Sequence, residues 1–179
     1  NPLTADSTGL FAEGNLEFAV TSGTDETSFS SIGTSSGKWY FETLISNISS
    51  YVDIGVGSTN DKDIATPRFH MEMTGYYMAQ PLPNSIKKWD NGSLSTTVST
   101  TNANGDIIMI AYDVDANKFW AGKNGTWYTS GNPATGANAW ITMDNGFTSL
   151  APAVCTKSSG KVTVNFGQDS SFAGNKTSQ

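Results

Sequence analysis

The chain holds one cysteine, one histidine and ten basic residues in 179 positions, and only 15% of it is charged. Each shortage excludes something. Cys155 cannot form an internal disulfide, and one thiolate cannot build a structural zinc site. It lies in the apolar run LAPAVC, so a buried thiol is expected. His70 alone cannot supply a multi-imidazole metal centre, and a satisfied surface histidine is the simpler reading. The basic residues are scattered apart from Lys87-Lys88, and the formal net charge is −6. A nucleic-acid binder needs a basic stripe that displaces counterions from phosphates, so no nucleic-acid partner is expected. No apolar run approaches the roughly 18 residues of a membrane-spanning helix, so no membrane insertion is expected. Helical periodicity is also missing, because Gly, Pro or β-branched residues interrupt every candidate window. There is no secretory signal and no initiator Met. The ends, NPLTAD and NKTSQ, read as cut points in a longer protein.

What remains is rich in aromatics, with 5 Trp, 9 Phe and 6 Tyr and an apolar fraction of 37%. Short strand-like runs dominate: 16–20, 28–33, 38–47, 52–58, 75–80, 86–89, 107–114, 117–122, 150–155 and 161–167. In 38–47, Trp39, Phe41 and Thr43 alternate with Tyr40, Glu42 and Leu44, as a strand requires. Asn91-Gly92, Asn104-Gly105, Asn124-Gly125 and Asn145-Gly146 mark tight turns, since both residue types accept positive φ. The longest loops are expected at 58–74, 81–85, 92–104, 129–148 and 156–160. Residues 1–179 read as one domain, an all-β, two-sheet antiparallel sandwich of jelly-roll type.

Several pieces then occur in a fixed order. They are Ser35 to Glu42 (SSGKWYFE), Ile54 to Gly57 (IGVG), Gly75 to Tyr77, Lys88 to Gly92, and Gly105 to Asp115 with its DIIMIAYDVD hairpin. Lys123 to Gly125, Pro152 to Val154 and Val162 to Gln168 (ending NFGQ) follow. In this order and spacing the set resembles a SPRY domain over about three-quarters of the chain. The opening NPL, EGNL at 13–16, FWAGKNGTW, SGNPATG at 130–136 and Phe172 after NFGQ resemble the branch found in phage and prophage tail-associated or virion proteins of marine phage type. The resemblance implies a non-catalytic module that recognises a host surface glycan or protein through loops at the sandwich rim. It would be displayed in many copies on a virion, with no cofactor. Two alternatives stay open: a purely structural module that docks to other virion proteins, and an intracellular adaptor that binds a peptide. In animal SPRY domains the turn corresponding to 156–160 helps form the peptide pocket. TKSSG here lacks its aromatic residue, so peptide specificity is not carried over.

Candidate ligand contacts fall on loops. Asp61, Asp63, Arg68, Phe69 and His70 share the one loop of varied charge; it is either a solvated connection or a recognition loop offering donors, acceptors and an aromatic face. Tyr77 and Lys157 flank the expected rim. Trp39 and Trp120 belong to strands and should be core. Trp89, Trp127 and Trp140 adjoin Gly, Asn or Asp, and Trp140 in the 129–148 loop is the first choice for stacking on a sugar ring. Asp113, Asp115 and Asn117 resemble the start of a calcium loop. However, Lys118 replaces the glycine of the sharp turn and Asn124 the bidentate glutamate, so a hairpin explains them better and no metal is expected. Catalysis finds no support: no pair of carboxylates with a sandwich-glucanase spacing occurs, and a lone His among many Ser does not make a triad.

Overall fold

The computed structural model describes residues 9–48, 50–59, 75–144, 147–172 and 176–179. Their strands are β1 Gly9–Ala12, β2 Glu17–Val20, β3 Glu26–Phe29, β4 Lys38–Asn47, β5 Val52–Ser58, β6 Tyr76–Leu82 and β7 Ser85–Asp90. The remainder are β8 Ser93–Ser99, β9 Ile107–Asp113, β10 Lys118–Lys123, β11 Thr126–Trp127, β12 Ile141–Thr142, β13 Leu150–Thr156 and β14 Lys161–Asn165. They form two antiparallel sheets. The first has the order β1-β2-β14-β4-β9-β10-β11, with β12 also on β10; the second has the order β3-β13-β5-β6-β7-β8. The expected sandwich is therefore observed, and β4 and β5 have the bounds read from the sequence.

The main core lies between the sheets. Phe18, Phe41, Ile45, Ile108, Ile110, Tyr112 and Phe119 of the first sheet meet Ile54, Val56, Tyr77, Ile86 and Val154 of the second. Fully burying one such side chain contributes roughly 1.5–3 kcal/mol. The outer faces are covered as well. Leu44, Ile107 and Met109 pack under Phe172. Phe29, Tyr76, Met78 and Cys155 pack on the other sheet, and the cysteine is buried as expected.

Several expectations need correction: the strand read at 28–33 is β3, Glu26–Phe29, and of the loop expected at 81–85 only Pro83 and Asn84 lie between β6 and β7. Residues 92–104 are not all loop, because Ser93–Ser99 forms the edge strand β8. Its sequence SLSTTVS has two apolar residues spaced by four, and a bulge at Ser95 shifts its register on β7, so no simple alternation marks it. Trp39 is not core: it is 45% exposed, and its indole N–H donates to the Ser36 carbonyl at 2.8 Å. The first three residues of β4 are all exposed, so strand parity there does not imply cover.

The IGVG motif has a packing reason. A Cβ on Gly55 would land on the Tyr77 carbonyl and lie 2.7 Å from the Met78 Cα, both backbone atoms of the paired strand β6. Because neither can step aside, Gly55→Ala should destabilise the fold by about 3 kcal/mol or more, measured by urea unfolding.

Candidate functional site

The chain leaves β11 and returns through β12 by way of residues 128–140, and this loop builds one wall of a polar concavity. Its middle, Asn132 to Ala137, closes on itself by two backbone hydrogen bonds of 3.0 and 3.1 Å. Four side chains then hold the loop through its carbonyls. Lys118 Nζ donates to the Gly136 oxygen at 2.7 Å, Trp120 Nε1 to that of Ala137 at 2.8 Å, Asn138 Nδ2 to that of Ser130 at 3.1 Å, and Lys88 Nζ to that of Trp140 at 3.0 Å. Gly131 lies so near Trp120 that a Cβ would come within 2.8 Å of the indole.

Held in this way, the backbone takes left-handed conformations that side chains disfavour: φ is 55° at Thr129, 56° at Ser130 and 48° at Asn138. Positive φ at a β-branched residue is a true outlier, and each strained position costs on the order of 1–3 kcal/mol. Facing the loop, β7 and β8 present Lys88, Thr96 and Val98. Between them lies a depression of about 540 Å³ lined by these residues with Thr129, Ser130, Asn138, Ala139 and Trp140. That volume falls in the range of small-ligand sites, roughly 300–1,000 Å³.

The sequence-derived candidates fare unequally. Asp61, Asp63, Arg68, Phe69 and His70 lie outside the described residues. Trp140 does line the depression, but it is not an exposed stacking platform. It is 4% exposed, belongs to the inter-sheet core and packs on Tyr128 with ring centroids 5.5 Å apart. The backbone around it explains this. Trp140 is the last residue before β12, with its N–H on the Phe119 carbonyl and its own carbonyl held by Lys88 of the other sheet, and its ring packs between the sheets as a floor. Tyr77 is also buried, and its hydroxyl accepts from the Asp144 N–H at 2.9 Å. Burial pushes its phenol up to about 12, so it acts as a neutral strut. Lys157 sits 3.6 Å from Asp25 and over the Tyr51 ring, while the Tyr51 hydroxyl donates to Asp25. It fastens the 156–160 turn to two other loops. Neither Tyr77 nor Lys157 lines the depression. The calcium-like residues serve the hairpin: Asp113 accepts from the Ala116 N–H at 2.9 Å and Asp115 from the Gly37 N–H at 3.0 Å.

Sequence reasoning missed Lys88, Thr96, Thr129, Ser130 and Asn138 as a group. The one usable signal was Lys87-Lys88, the only basic pair, together with SGNPATG as a turn-forming insert.

A second concavity of about 210 Å³ opens at the opposite strand edge of each sheet, between β1, β2 and β14 on one side and β3 and β13 on the other. Phe11, Phe18, Phe29 and Phe41 line it, with Ile32 and Phe166 exposed beside them. Its polar lining is limited to serines, one asparagine and backbone, so it can hold apolar groups but offers few directional contacts.

No protein-family model matches the sequence, and no curated protein matches it. Solved structures do match. The SPRY domain of human HERC1 aligns at 21% identity with a TM-score of 0.70, over 94% of this chain and 98% of that one. The PSpry domain of TRIM65 aligns at 9% identity with a TM-score of 0.69, over 90% and 86%. The carbohydrate-binding module CBM66 from Bacillus subtilis aligns at 11% identity with a TM-score of 0.55, over 92% and 91%. The chain thus has the β-sandwich fold of SPRY domains, which a carbohydrate-binding module also shares.

Two outcomes follow from this geometry. Trp140→Ala should act on stability first, costing about 3–5 kcal/mol in chemical denaturation, as for a buried aromatic. Asp90, beside Lys88 on β7, has its carboxyl raised above the ordinary range by burial, with Lys88 opposing and Asp144 adding to the rise. A raised carboxyl favours the protonated folded state, so its contribution is present at acid pH and lost as pH rises through the raised value. Asp90→Asn should therefore raise the melting temperature at pH 7, with the gain vanishing below about pH 4.

Proposed function

We propose that this chain is a non-catalytic recognition module of a phage tail or virion surface protein, and that it binds a host surface molecule in the depression between β7–β8 and the 128–140 loop. The observation that carries the reading is the chemistry of that depression. Exposed hydroxyls, an amide and one ammonium converge there on a strained, clamped backbone, and no carboxylate is among the described residues lining it. Strain of this kind persists only where surrounding contacts over-determine it, and it concentrates at ligand sites. A nucleophile–base pair or paired acids, which hydrolytic chemistry would need, are not among those residues.

Other observations agree. One of the structures that share the fold is by its name a carbohydrate-binding module. The resemblance to phage structural SPRY domains supports display on a particle. Shallow, polar contacts are weak singly, and many linked copies raise the effective affinity by a factor on the order of 10²–10⁴.

The apolar groove favours a second reading, in which the module docks to a protein chain, either a neighbouring virion protein or the peptide partner of an adaptor. The two readings separate cleanly. The purified chain, clustered on beads, is passed over bacterial envelope preparations. Ser130→Ala combined with Asn138→Ala should lower retention about tenfold, because each lost hydrogen bond weakens every copy. Ile32→Ser combined with Phe166→Ser should leave retention unchanged. The reverse pattern would move the binding surface to the groove.

A further inference from the structure

We infer that the depression takes a neutral, polyhydroxylated sugar unit and discriminates against acidic sugars. This inference rests on the recognition reading above and narrows its ligand class.

The hydrogen-bond inventory is mixed, with neither donors nor acceptors alone. Lys88 gives one of its three N–H groups to the Trp140 carbonyl at 3.0 Å, leaving two. Asn138 uses one N–H on the Ser130 carbonyl, leaving its second N–H and its oxygen. Thr129 Oγ1 donates to the Tyr128 carbonyl at 2.7 Å and keeps its lone pairs as acceptors. Ser130 and Thr96 add exposed hydroxyls. A sugar hydroxyl donates and accepts, so it can use both halves of this set. A carboxylate only accepts, and it would leave the Asn138 oxygen and the Thr129 lone pairs unmatched.

The electrostatics point the same way. Lys88 is the one charged residue among the described residues lining the depression. Its ammonium does not stand alone: Asp90 lies two residues on along β7, and Asp144 lies close enough to act on Asp90. Lys88 and the loop-clamping Lys118 are matched by Asp90 and Asp144, in a chain of net charge −6, which leaves no surplus positive field to hold an anion. Val98 and the small exposed part of Trp140 supply an apolar patch for the C–H groups of a sugar ring. Because the clamps already order the loop, binding loses little further conformational entropy.

The test uses the whole chain clustered on beads. Probes are neutral polysaccharides (a dextran, a mannan and a galactan) and a polyuronate, each at low salt and at about 0.5 M NaCl, where screening shortens charge effects to a few ångströms. The expected result is retention on at least one neutral polymer that changes less than about twofold with salt. That retention should fall about tenfold in Thr96→Val and in Ser130→Ala, while the circular dichroism melt is unchanged; adding Asn138→Ala, which also removes a loop clamp, should lower both retention and the melt. Salt-sensitive retention on the polyuronate alone, abolished by Lys88→Ala, would overturn the neutral-sugar inference and leave the depression as the binding site. Retention on any polymer that ignores all of these substitutions would overturn the site itself. No retention on any neutral polymer would overturn the inference as well.

Discussion

The burial of β9 on both faces governs much of this molecule. All seven residues of Ile107–Asp113 are buried. Ile108, Ile110 and Tyr112 face the second sheet, as a sandwich demands, while Ile107 and Met109 face outward with Leu44. A strand apolar on both sides cannot form the solvent face of a two-layer protein. Something outside the two sheets must cover it. Phe172 lies over Leu44, Ile107 and Met109. Around the next strand, the 128–140 loop bends over Trp120, takes its indole proton on the Ala137 carbonyl and returns to the inner side at Trp140. The depression is a by-product of that wrapping. A loop required to cover an outward tryptophan also brings Thr129, Ser130 and Asn138 opposite β7 and β8.

This dependence explains what was legible in the sequence. Strands whose neighbours are all strands could be read from local pattern: β4 and β5 have clear alternation or an unbroken apolar run, and their bounds match. The SPRY-like motifs were legible because several encode backbone proximity, as Gly55 does against β6. The direction of Trp140 was not legible. Asn, Gly and Asp beside a tryptophan report where the chain turns, whereas the side chain's direction goes with long-range contacts: Lys88, 52 positions away, holds the Trp140 carbonyl, and the ring packs in the inter-sheet core. The left-handed φ at Thr129 and Ser130 was equally hidden, because neither residue type prefers it. It is imposed by clamps from β7 and β10, and only tertiary structure shows it.

The two open edges of the sandwich differ in chemistry because they close differently. At one, β1 and β3 are four-residue strands, too short to bring their sheets fully together, and phenylalanines fill the gap incompletely. At the other, Lys88 of the second sheet reaches the Trp140 carbonyl, and Lys118 of the first holds the same loop at Gly136, with exposed hydroxyls beside them. The first edge can only exclude water, whereas the second can read the direction of a partner's polar groups.

The bulge at Ser95 has a consequence for crowding. A seven-residue edge strand without charge or proline is the kind of border on which neighbouring molecules can continue a sheet. The extra residue breaks the hydrogen-bond rhythm between Leu94 and Thr96 and sends Leu94 to the other face from Val98. An incoming strand would find only a short regular stretch before its own register failed. Packed side by side at high density, such modules would remain separate bodies and would not zip into a shared ribbon.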